Sequence, residues 1–183
     1  MQAFAPEEIR PLRRAEYDKL VALGAFEGEK IELLHGALVA LSPTGTPHAA
    51  TIQALNLLLV RALGDRAAIR PQLPFAADDY SEPEPDFAVM PLGDYLDDHP
   101  AKAWLLVEVS DSSLRHDRGV KRRLYAKAGV PEYWIVNLVD RVIEVHLEPV
   151  NGDYTVVTPR RKGESTRLSQ FPDIELRVDD VIK

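Results

Sequence analysis

Trp104-Leu105-Leu106-Val107-Glu108-Val109-Ser110 is an apolar run with a single acid near its end. Such a run predicts a buried strand at the centre of a sheet. A helix capped by Ser112 or Ser113 is predicted to follow and to run to Ala128, and a second strand is predicted at Glu132–Asn137. A strand, helix and strand of this length match a right-handed crossover, so we expect the two strands to be parallel.

The rest of the chain supplies further helices and strands around this crossover. One helix is predicted over residues 14–23, and another has Thr46 as its N-cap, Pro47 in its first position and Gly64 just past its end. Strands are predicted at residues 31–34, 37–41, 68–75, 83–89, 142–147 and 154–158. This order predicts an α/β or α+β fold, in which helices flank a mixed β-sheet. The length suits a single domain over residues 1–183.

The composition excludes several classes of protein. The chain is 45% hydrophobic and 28% charged, as in globular proteins, and no apolar run is long enough to span a membrane. Residues 1–8 lack the basic start and the apolar core of a secretory signal, so we expect a cytoplasmic protein. Because the chain has no cysteine, any metal must be held by oxygen or imidazole ligands.

Two acids lie where a carboxylate is costly. Asp86 lies in Glu84-Pro85-Asp86-Phe87-Ala88-Val89 and Glu108 in the central strand, and both are predicted to be buried. Side chains alternate along a strand, so Glu108 shares a face with Ser110. If the strand with Asp86 is the neighbour, both carboxylates can bind one cation together with the carbonyl of Val109. Oxygen ligands of this kind favour Mg²⁺ or Mn²⁺.

Lys121 is the predicted basic partner of these acids. It follows Asp117 by four residues on the predicted helix, and helical side chains lean toward the helix N-terminus, which lies nearest Glu108. In that position a lysine can orient or activate water beside a phosphate. The alternative is that Asp117 and Lys121 form an ordinary ion pair on an exposed helix face.

Several longer runs of residues resemble one known family. The runs are Glu32-Leu33-Leu34-His35-Gly36, Glu84-Pro85-Asp86, Leu106-Val107-Glu108-Val109-Ser110, Asp117-Arg118-Gly119-Val120-Lys121, Tyr125-Ala126-Lys127-Ala128-Gly129-Val130-Pro131-Glu132-Tyr133-Trp134-Ile135-Val136 and Phe171-Pro172-Asp173-Ile174. Together they resemble the Uma-type family of bacterial putative restriction endonucleases, which is assigned to the PD-(D/E)XK nuclease superfamily. The resemblance covers most of the chain.

The resemblance implies a restriction-endonuclease-like core and a Mg²⁺-dependent nuclease. In that family pattern Asp86 and Glu108 are metal ligands, and Glu32 is a further acidic member of the site. The superfamily pattern has a lysine two positions after the second acid, where this chain has Ser110. In the Uma-type family the lysine lies on the following helix, which here makes it Lys121.

Four other side chains in or near these motifs are candidates for a role at the site or in packing. Glu32 is either an acidic ligand or the solvent side of an alternating strand. His48, at the start of a helix, either contacts a substrate phosphate or has a plain capping or surface role. Ser110 is assigned to substrate binding, and Tyr125 is predicted to pack the helix and not to contact substrate.

Two functions from different classes are consistent with these residues. The first is a metal-dependent endonuclease that hydrolyses DNA phosphodiester bonds, and the second is a non-catalytic binding or regulatory protein on the same scaffold. A net charge of -7 and the serine at position 110 favour the second. The two buried acids favour the first, because without a cation they would destabilise a core. Positive charge is densest at Arg115, Arg118, Lys121, Arg122, Arg123 and Lys127.

We also expect a homodimer through the predicted strands at residues 142–147 and 154–158. These strands lie outside the predicted crossover, and their edges or faces need to be covered. The alternative is that the tail, with Phe171 and Ile174, folds back over that surface within the monomer.

Overall fold

A computed structural model describes residues 9–182 of the chain. Residues 1–8, for which the sequence predicts no secretory signal, and residue 183 lie outside the described residues. The helices are α1 (Arg14–Ala22), α2 (Thr46–Leu63), α3 (Leu114–His116), α4 (Arg122–Lys127) and α5 (Val178–Val181). The strands are β1 (Ile31–Leu34), β2 (Ala37–Ala40), β3 (Ala68–Pro71), β4 (Phe87–Met90), β5 (Leu105–Ser110), β6 (Glu132–Asn137), β7 (Val142–Val150), β8 (Asp153–Arg160), β9 (Ser165–Arg167) and β10 (Glu175–Arg177).

The central sheet has six strands in the order β3-β4-β5-β6-β7-β8. Strands β5 and β6 are parallel and are joined by the helical segment from α3 to α4, which confirms the predicted crossover. The other neighbours in this sheet are antiparallel. Strands β1 and β2 form a separate hairpin, and β9 pairs with β10. A mixed sheet flanked by helices confirms the predicted fold class.

Helices cover the sheet on both faces. On one face Leu55 and Leu59 of α2 pack in the cluster that contains Val107 and Val109 of β5. On the other face Leu124 of α4 packs in the cluster that contains alternate residues of β5 and β6, such as Leu106. Because side chains alternate along a strand, Glu108 shares the face of Leu106 and points toward the α3–α4 segment.

Strands β3 and β4 are shorter than predicted. The predicted strands at 68–75 and 83–89 shrink to Ala68–Pro71 and Phe87–Met90, so Asp86 lies in the bend just before β4. Proline has no N–H to donate to a ladder, and the lost residues include three prolines, Pro74, Pro83 and Pro85. Asp86 is nevertheless buried, at 8% exposure.

The start of α2 also differs from the prediction by one residue. Gly45 is the N-cap, and Thr46 is the first residue of the helix. The Thr46 side chain therefore does not cap the helix. Gly64 lies just past the end of the helix, as predicted.

The predicted continuous helix over residues 112–128 is interrupted by a π-helical turn. This turn, Asp117–Lys121, lies between α3 and α4, and the N–H of Arg122 donates to the carbonyl of Asp117, five residues earlier. Both Asp117 and Lys121 are buried. A π turn inserts one extra residue into a helix and occurs frequently at functional sites.

The C-terminal strands belong to the main sheet and do not form an appendage. Strand β7 pairs with β6 along six residue pairs, and β8 pairs with β7. Phe171 and Ile174 are buried in the same core cluster as α2 and Val145 of β7. The tail therefore covers this face of the sheet within the monomer, which removes the reason given for a dimer, and the dimer itself stays a prediction.

Candidate active site

An open pocket of about 490 Å³ lies where β5 ends and β4 begins. The segment from β2 to α2 and the start of the α3–α4 segment complete its walls. We call it the acidic pocket, because its lining has four more carboxylates than lysines. The charged lining residues are Glu32, Glu84, Asp86, Glu108, Asp111, Asp117, Lys30 and Lys121. Such an excess of negative charge in a concave site attracts cations.

Asp86 is fixed in this pocket by three neighbours. Its Oδ2 accepts a hydrogen bond of 2.8 Å from the backbone N–H of Val109, and Nε2 of His48 lies 3.2 Å from the same oxygen. The Gln72 amide donates to Oδ1 at 3.3 Å. Asp86 directly precedes β4, and β4 pairs with β5, the strand that contains Glu108. The two acids therefore come from neighbouring strands, as expected.

His48 faces Asp86 from the first turn of α2. The hydrogen bond with Asp86 raises the pKa of His48, and the Val109 backbone and Asp111 add to the rise against the opposing effect of burial. A raised pKa favours the imidazolium form of His48. The side chain therefore lies in the predicted region of the site, in contact with Asp86.

Glu108 is buried at 5% exposure and is bonded through one of its two oxygens. Its Oε1 accepts hydrogen bonds from Nζ of Lys121 at 3.1 Å and from the hydroxyl of Tyr125 at 2.6 Å. Among the described residues, none donates a hydrogen bond to Oε2. Burial raises the pKa of Glu108 well above its ordinary value, and the neighbouring carboxylates raise it further against the opposing effect of Lys121. An ionised Glu108 therefore needs more positive charge than Lys121 supplies.

Lys121 lies between Glu108 and Glu32. Its Nζ is 3.1 Å from Oε1 of Glu108 and 3.1 Å from Oε2 of Glu32. Burial alone lowers the pKa of Lys121, but the carboxylates of Glu108, Glu32 and Asp117 outweigh burial and raise it. Lys121 is only 4% exposed, so the alternative of an exposed ion pair between Asp117 and Lys121 is wrong.

Glu32 is an interior residue of the hairpin. It is fully buried, so the alternative that it lies on the solvent side of its strand is wrong. Its Oε2 also accepts a hydrogen bond of 3.0 Å from the backbone N–H of Glu84, whereas Oε1 is buried without a hydrogen-bond partner. The structure thus brings Asp86, Glu108, Lys121 and Glu32 around one pocket.

Ser110 is the one predicted site residue that does not line the pocket. It is fully buried, and its hydroxyl donates to Oδ2 of Asp117 at 2.7 Å. The Ser113 hydroxyl donates to the same oxygen at 2.6 Å. Ser110 therefore anchors the π turn through Asp117 and is not open to a substrate.

Sequence reasoning assigned Tyr125 to packing and missed its hydrogen bond with Glu108. Burial raises the pKa of Tyr125 well above its ordinary value, so its hydroxyl remains a donor. The position of Tyr125 four residues after Lys121, on one side of a helix, was a usable signal. Gln72 and Glu84 also line the pocket; no pattern in the sequence marks Gln72, and Glu84 belongs to the Glu84-Pro85-Asp86 run but received no role there.

The donor atoms of the pocket fit a hard divalent cation. Within residues 9–182, no group of three or more His, Asp and Glu side chains has the arrangement of a complete metal site. Mg²⁺, however, is commonly held by one or two protein carboxylates, with water and substrate phosphate completing its shell. Asp86 and the unbonded Oε2 of Glu108 supply two such carboxylates, and the acidic lining supplies the required charge.

A family model described as Putative restriction endonuclease, Uma2, matches residues 14–179. The chain belongs to the Uma2 family. This finding confirms the resemblance drawn from the sequence motifs, and the matched range contains every residue of the acidic pocket.

A solved structure supports the same fold for this member of the Uma2 family. The structure is of a putative nuclease belonging to DUF820 from Anabaena variabilis ATCC 29413, to which this chain is similar with a TM-score of 0.77. The likeness covers 94% of this chain and 98% of that chain at 14% sequence identity, so it concerns the fold. No curated protein matches the sequence. Among the described residues, no helix is long and apolar enough to cross a membrane.

Proposed function

We propose that this member of the Uma2 family is a metal-dependent endonuclease that hydrolyses DNA phosphodiester bonds with Mg²⁺ or Mn²⁺. The observation that carries the proposal is the convergence of Asp86, Glu108 and Lys121 on one acidic pocket. A buried carboxylate that lacks full compensation is costly, and a divalent cation removes that cost. The family description and the putative nuclease with the same fold support a nuclease.

Asp86, Glu108 and the Val109 carbonyl are the proposed ligands of the cation. The ladder between β4 and β5 ends at the pair Phe87 and Val107, so Val109 lies beyond it. The N–H of Val109 points to Asp86, and in a strand the carbonyl of a residue points to the same side as its N–H. A divalent cation held by these residues would supply charge stabilisation to a reacting phosphate and would make a nearby water more acidic.

Lys121 is proposed to act in its ammonium form. Its raised pKa makes it a poor proton acceptor, so its role is to hold Glu108 and Glu32 and to orient water beside the phosphate. His48, which lies beside Asp86, is proposed to donate to a substrate phosphate oxygen. Glu32 has one buried oxygen without a partner, which suits it to hold a water molecule at the site.

A non-catalytic binding or regulatory protein is the second candidate, and the surface charge favours it. Half of the predicted basic cluster is engaged within the protein: Lys121 is buried in the site, Arg118 bonds Glu144, and Arg122 pairs with Asp153. Three exposed cations remain in this cluster, at Arg115, Arg123 and Lys127. Because the net charge is -7, binding of a DNA backbone depends on the cation and on these three residues.

A titration with Mn²⁺ and Mg²⁺ separates the two candidates. We expect saturable binding to the wild-type chain, cleavage of DNA only with metal, and loss of both in Asp86→Ala. The matched control is Asp173→Ala, which removes an exposed carboxylate paired with Arg66 outside the pocket. Absence of binding at millimolar metal would favour the non-catalytic protein.

The homodimer and the cytoplasmic location also remain proposals. Strand β8 is the edge of the main sheet, and a strand from a second copy could pair with it. Sedimentation at micromolar concentration tests this dimer. A single species at the monomer mass of 20.4 kDa contradicts it.

A further inference from the structure

Tyr125 makes a contact that its packing role does not require. Its ring is fully buried between aromatic neighbours, with Phe75 at 6.4 Å and Tyr133 at 5.1 Å between ring centroids, both in edge-on geometry. A phenylalanine would make the same ring contacts. Within residues 9–182, the hydroxyl adds one hydrogen bond, of 2.6 Å to Oε1 of Glu108.

The hydroxyl shares its acceptor oxygen with Lys121. Tyr125 and Lys121 are four residues apart and reach Oε1 of Glu108 from the same side of the helical segment. Neither donates to Oε2. Two donors on one oxygen define the rotation of the carboxylate, whose terminal torsion is otherwise broad. The second oxygen is then left for the acidic pocket, which Glu108 lines.

Lys121 alone does not fix this orientation. Its ammonium group is equally close, at 3.1 Å, to Glu32, so it is shared between two carboxylates. The tyrosine hydroxyl, in contrast, donates its hydrogen bond to Glu108. Because the hydroxyl is neutral, it orients the carboxylate without adding positive charge that would oppose a cation at Oε2.

We propose that Tyr125 is a positioning residue that turns Oε2 of Glu108 toward the pocket and thereby sets the affinity of the site for a divalent cation. This inference rests on the proposed metal-dependent function. Partners that hydrogen-bond a metal-binding carboxylate orient it and tune its affinity for the metal. The rigid aromatic packing around Tyr125 provides the fixed support that such a role needs.

The test is Mn²⁺ binding to the full chain of wild-type protein, Tyr125→Phe and Tyr154→Phe, measured by calorimetry and by the signal of free Mn²⁺ in electron paramagnetic resonance. We expect Tyr125→Phe to weaken Mn²⁺ binding about 10-fold to 100-fold. Tyr154→Phe is the matched control, because its buried hydroxyl donates to the Val130 carbonyl at 2.9 Å, outside the pocket. We expect its affinity to equal that of the wild type. Thermal melts in chelator report the fold of each variant separately.

The possible outcomes are distinct. If Tyr125→Phe binds Mn²⁺ as tightly as the wild type, the positioning role is overturned while the proposed nuclease stands. If the wild type binds no Mn²⁺, the proposed function fails, and the positioning role fails with it.

A measurement on the wild-type chain covers the case in which Tyr125→Phe does not fold. With tyrosine labelled at the ring carbon that bears the hydroxyl, the NMR resonance of one buried tyrosine should shift on saturation with Mg²⁺. The resonance of Tyr154, identified by its loss in Tyr154→Phe, should not shift. Unchanged resonances of all buried tyrosines under metal saturation would overturn the proposal.

Discussion

Glu108 and Glu144 are two buried acids in one row of the sheet, and their surroundings differ in kind. Glu108 on β5 lies opposite Ile135 on β6, and Ile135 lies opposite Glu144 on β7. Residues paired in this way point to the same face of a sheet. The two acids are also similarly buried, at 5% and 7% exposure. Position and burial therefore do not separate them.

Compensation of charge does separate them. The Arg118 guanidinium donates to both oxygens of Glu144, at 2.6 to 3.2 Å, and the Asn137 amide donates to Oε1 at 2.9 Å. Burial alone would raise the pKa of Glu144, but His146, Arg118 and Asn137 outweigh burial and lower it to about 2. Glu108 shares its one cation with Glu32, and its pKa is raised. A structural acid is fully compensated within the protein, whereas the candidate functional acid still needs a cation.

The largest expected effect is on catalysis, and it should fall on Glu108. We expect Glu108→Gln to lower metal-dependent cleavage at least about 100-fold, because it removes a proposed ligand charge. In chelator the variant should melt at the same or a higher temperature, since a neutral amide avoids the cost of a poorly compensated buried charge. Single-turnover cleavage and thermal melts measure the two quantities. Clear destabilisation in chelator would show instead that Glu108 belongs to a structural ion pair.

The hydrophobic pattern marks both acids equally, which shows where prediction from the sequence stops. Glu108 interrupts the apolar run of β5, and Glu144 interrupts Val142-Ile143-Glu144-Val145 in the same manner. Glu108 was singled out with Asp86 because a predicted helix with Asp117 and Lys121 follows it, but the pattern did not reveal that Glu144 has a guanidinium partner. Arg118 comes from a segment 26 residues away in the chain. Which cation meets which acid is decided by tertiary contacts.

The fold was more predictable than the site. Apolar runs and helix signals located the crossover, because burial of one strand between covering layers leaves a strong pattern. The π turn left no pattern, although it accompanies the inward placement of both Asp117 and Lys121. The packing of Phe171 and Ile174 in the core was predicted only as an alternative, because the sequence does not show which surface the tail contacts. The assignment of Ser110 to substrate binding failed because the sequence does not show that the Ser110 hydroxyl is occupied by Asp117, seven residues later.

The second effect concerns stability, and it should fall on Glu144. We expect Glu144→Gln to lower the free energy of unfolding by about 1–3 kcal/mol, because it weakens charged hydrogen bonds to Arg118 and Asn137. Cleavage per folded molecule should change little, because glutamine still has an oxygen that accepts a hydrogen bond from Arg118. Urea unfolding in chelator gives the free energy, with Glu108→Gln as the matched control at equal burial. Equal destabilisation by both variants would remove the distinction between the two acids.

The two acids should also give stability opposite dependence on pH. The pKa of Glu144 is lowered from 4.5 to about 2, so its stabilisation is present above about pH 4.5 and is lost as pH falls toward 2. This shift corresponds to about 3 kcal/mol. The pKa of Glu108 is raised, so in chelator its ionisation lowers stability as pH rises above about 4.5.

Urea unfolding between pH 2.5 and 8 in chelator tests both signs. Glu144→Gln should lose part of the acid-side decline, and Glu108→Gln should have a flatter profile on the neutral side. Burial raises the pKa of Glu82 to about 7, which adds a neutral-side slope of the same sign as that of Glu108. The comparison is therefore best made in a Glu82→Gln background. Parallel profiles for the two variants in that background would contradict the assignment.

The smallest effect tests how Glu144 supports the site. Arg118 lies in the π turn that also carries Lys121, and it ties this turn to β7 through Glu144. Since the Arg118 side chain is 45% exposed, solvent screens the pair, and we expect Arg118→Ala to cost about 1 kcal/mol of stability. Loss of this anchor should also lower cleavage a few-fold, because the π turn then holds Lys121 less rigidly against Glu108.

Arg122→Ala is the matched control, because Arg122 follows directly after the π turn and pairs with Asp153 at the start of β8. We expect this substitution to cost less than about 1 kcal/mol and to leave cleavage unchanged, since solvent screens a partly exposed pair of this kind and the pair does not contact the pocket. A double-mutant cycle of Arg118→Ala with Glu144→Gln then isolates the energy of their pairing. If Arg118→Ala and Arg122→Ala reduce cleavage equally, general loss of positive charge near DNA explains the result. A reduction in cleavage that is confined to Arg118→Ala would show that Glu144, the compensated acid, supports Glu108 through the π turn.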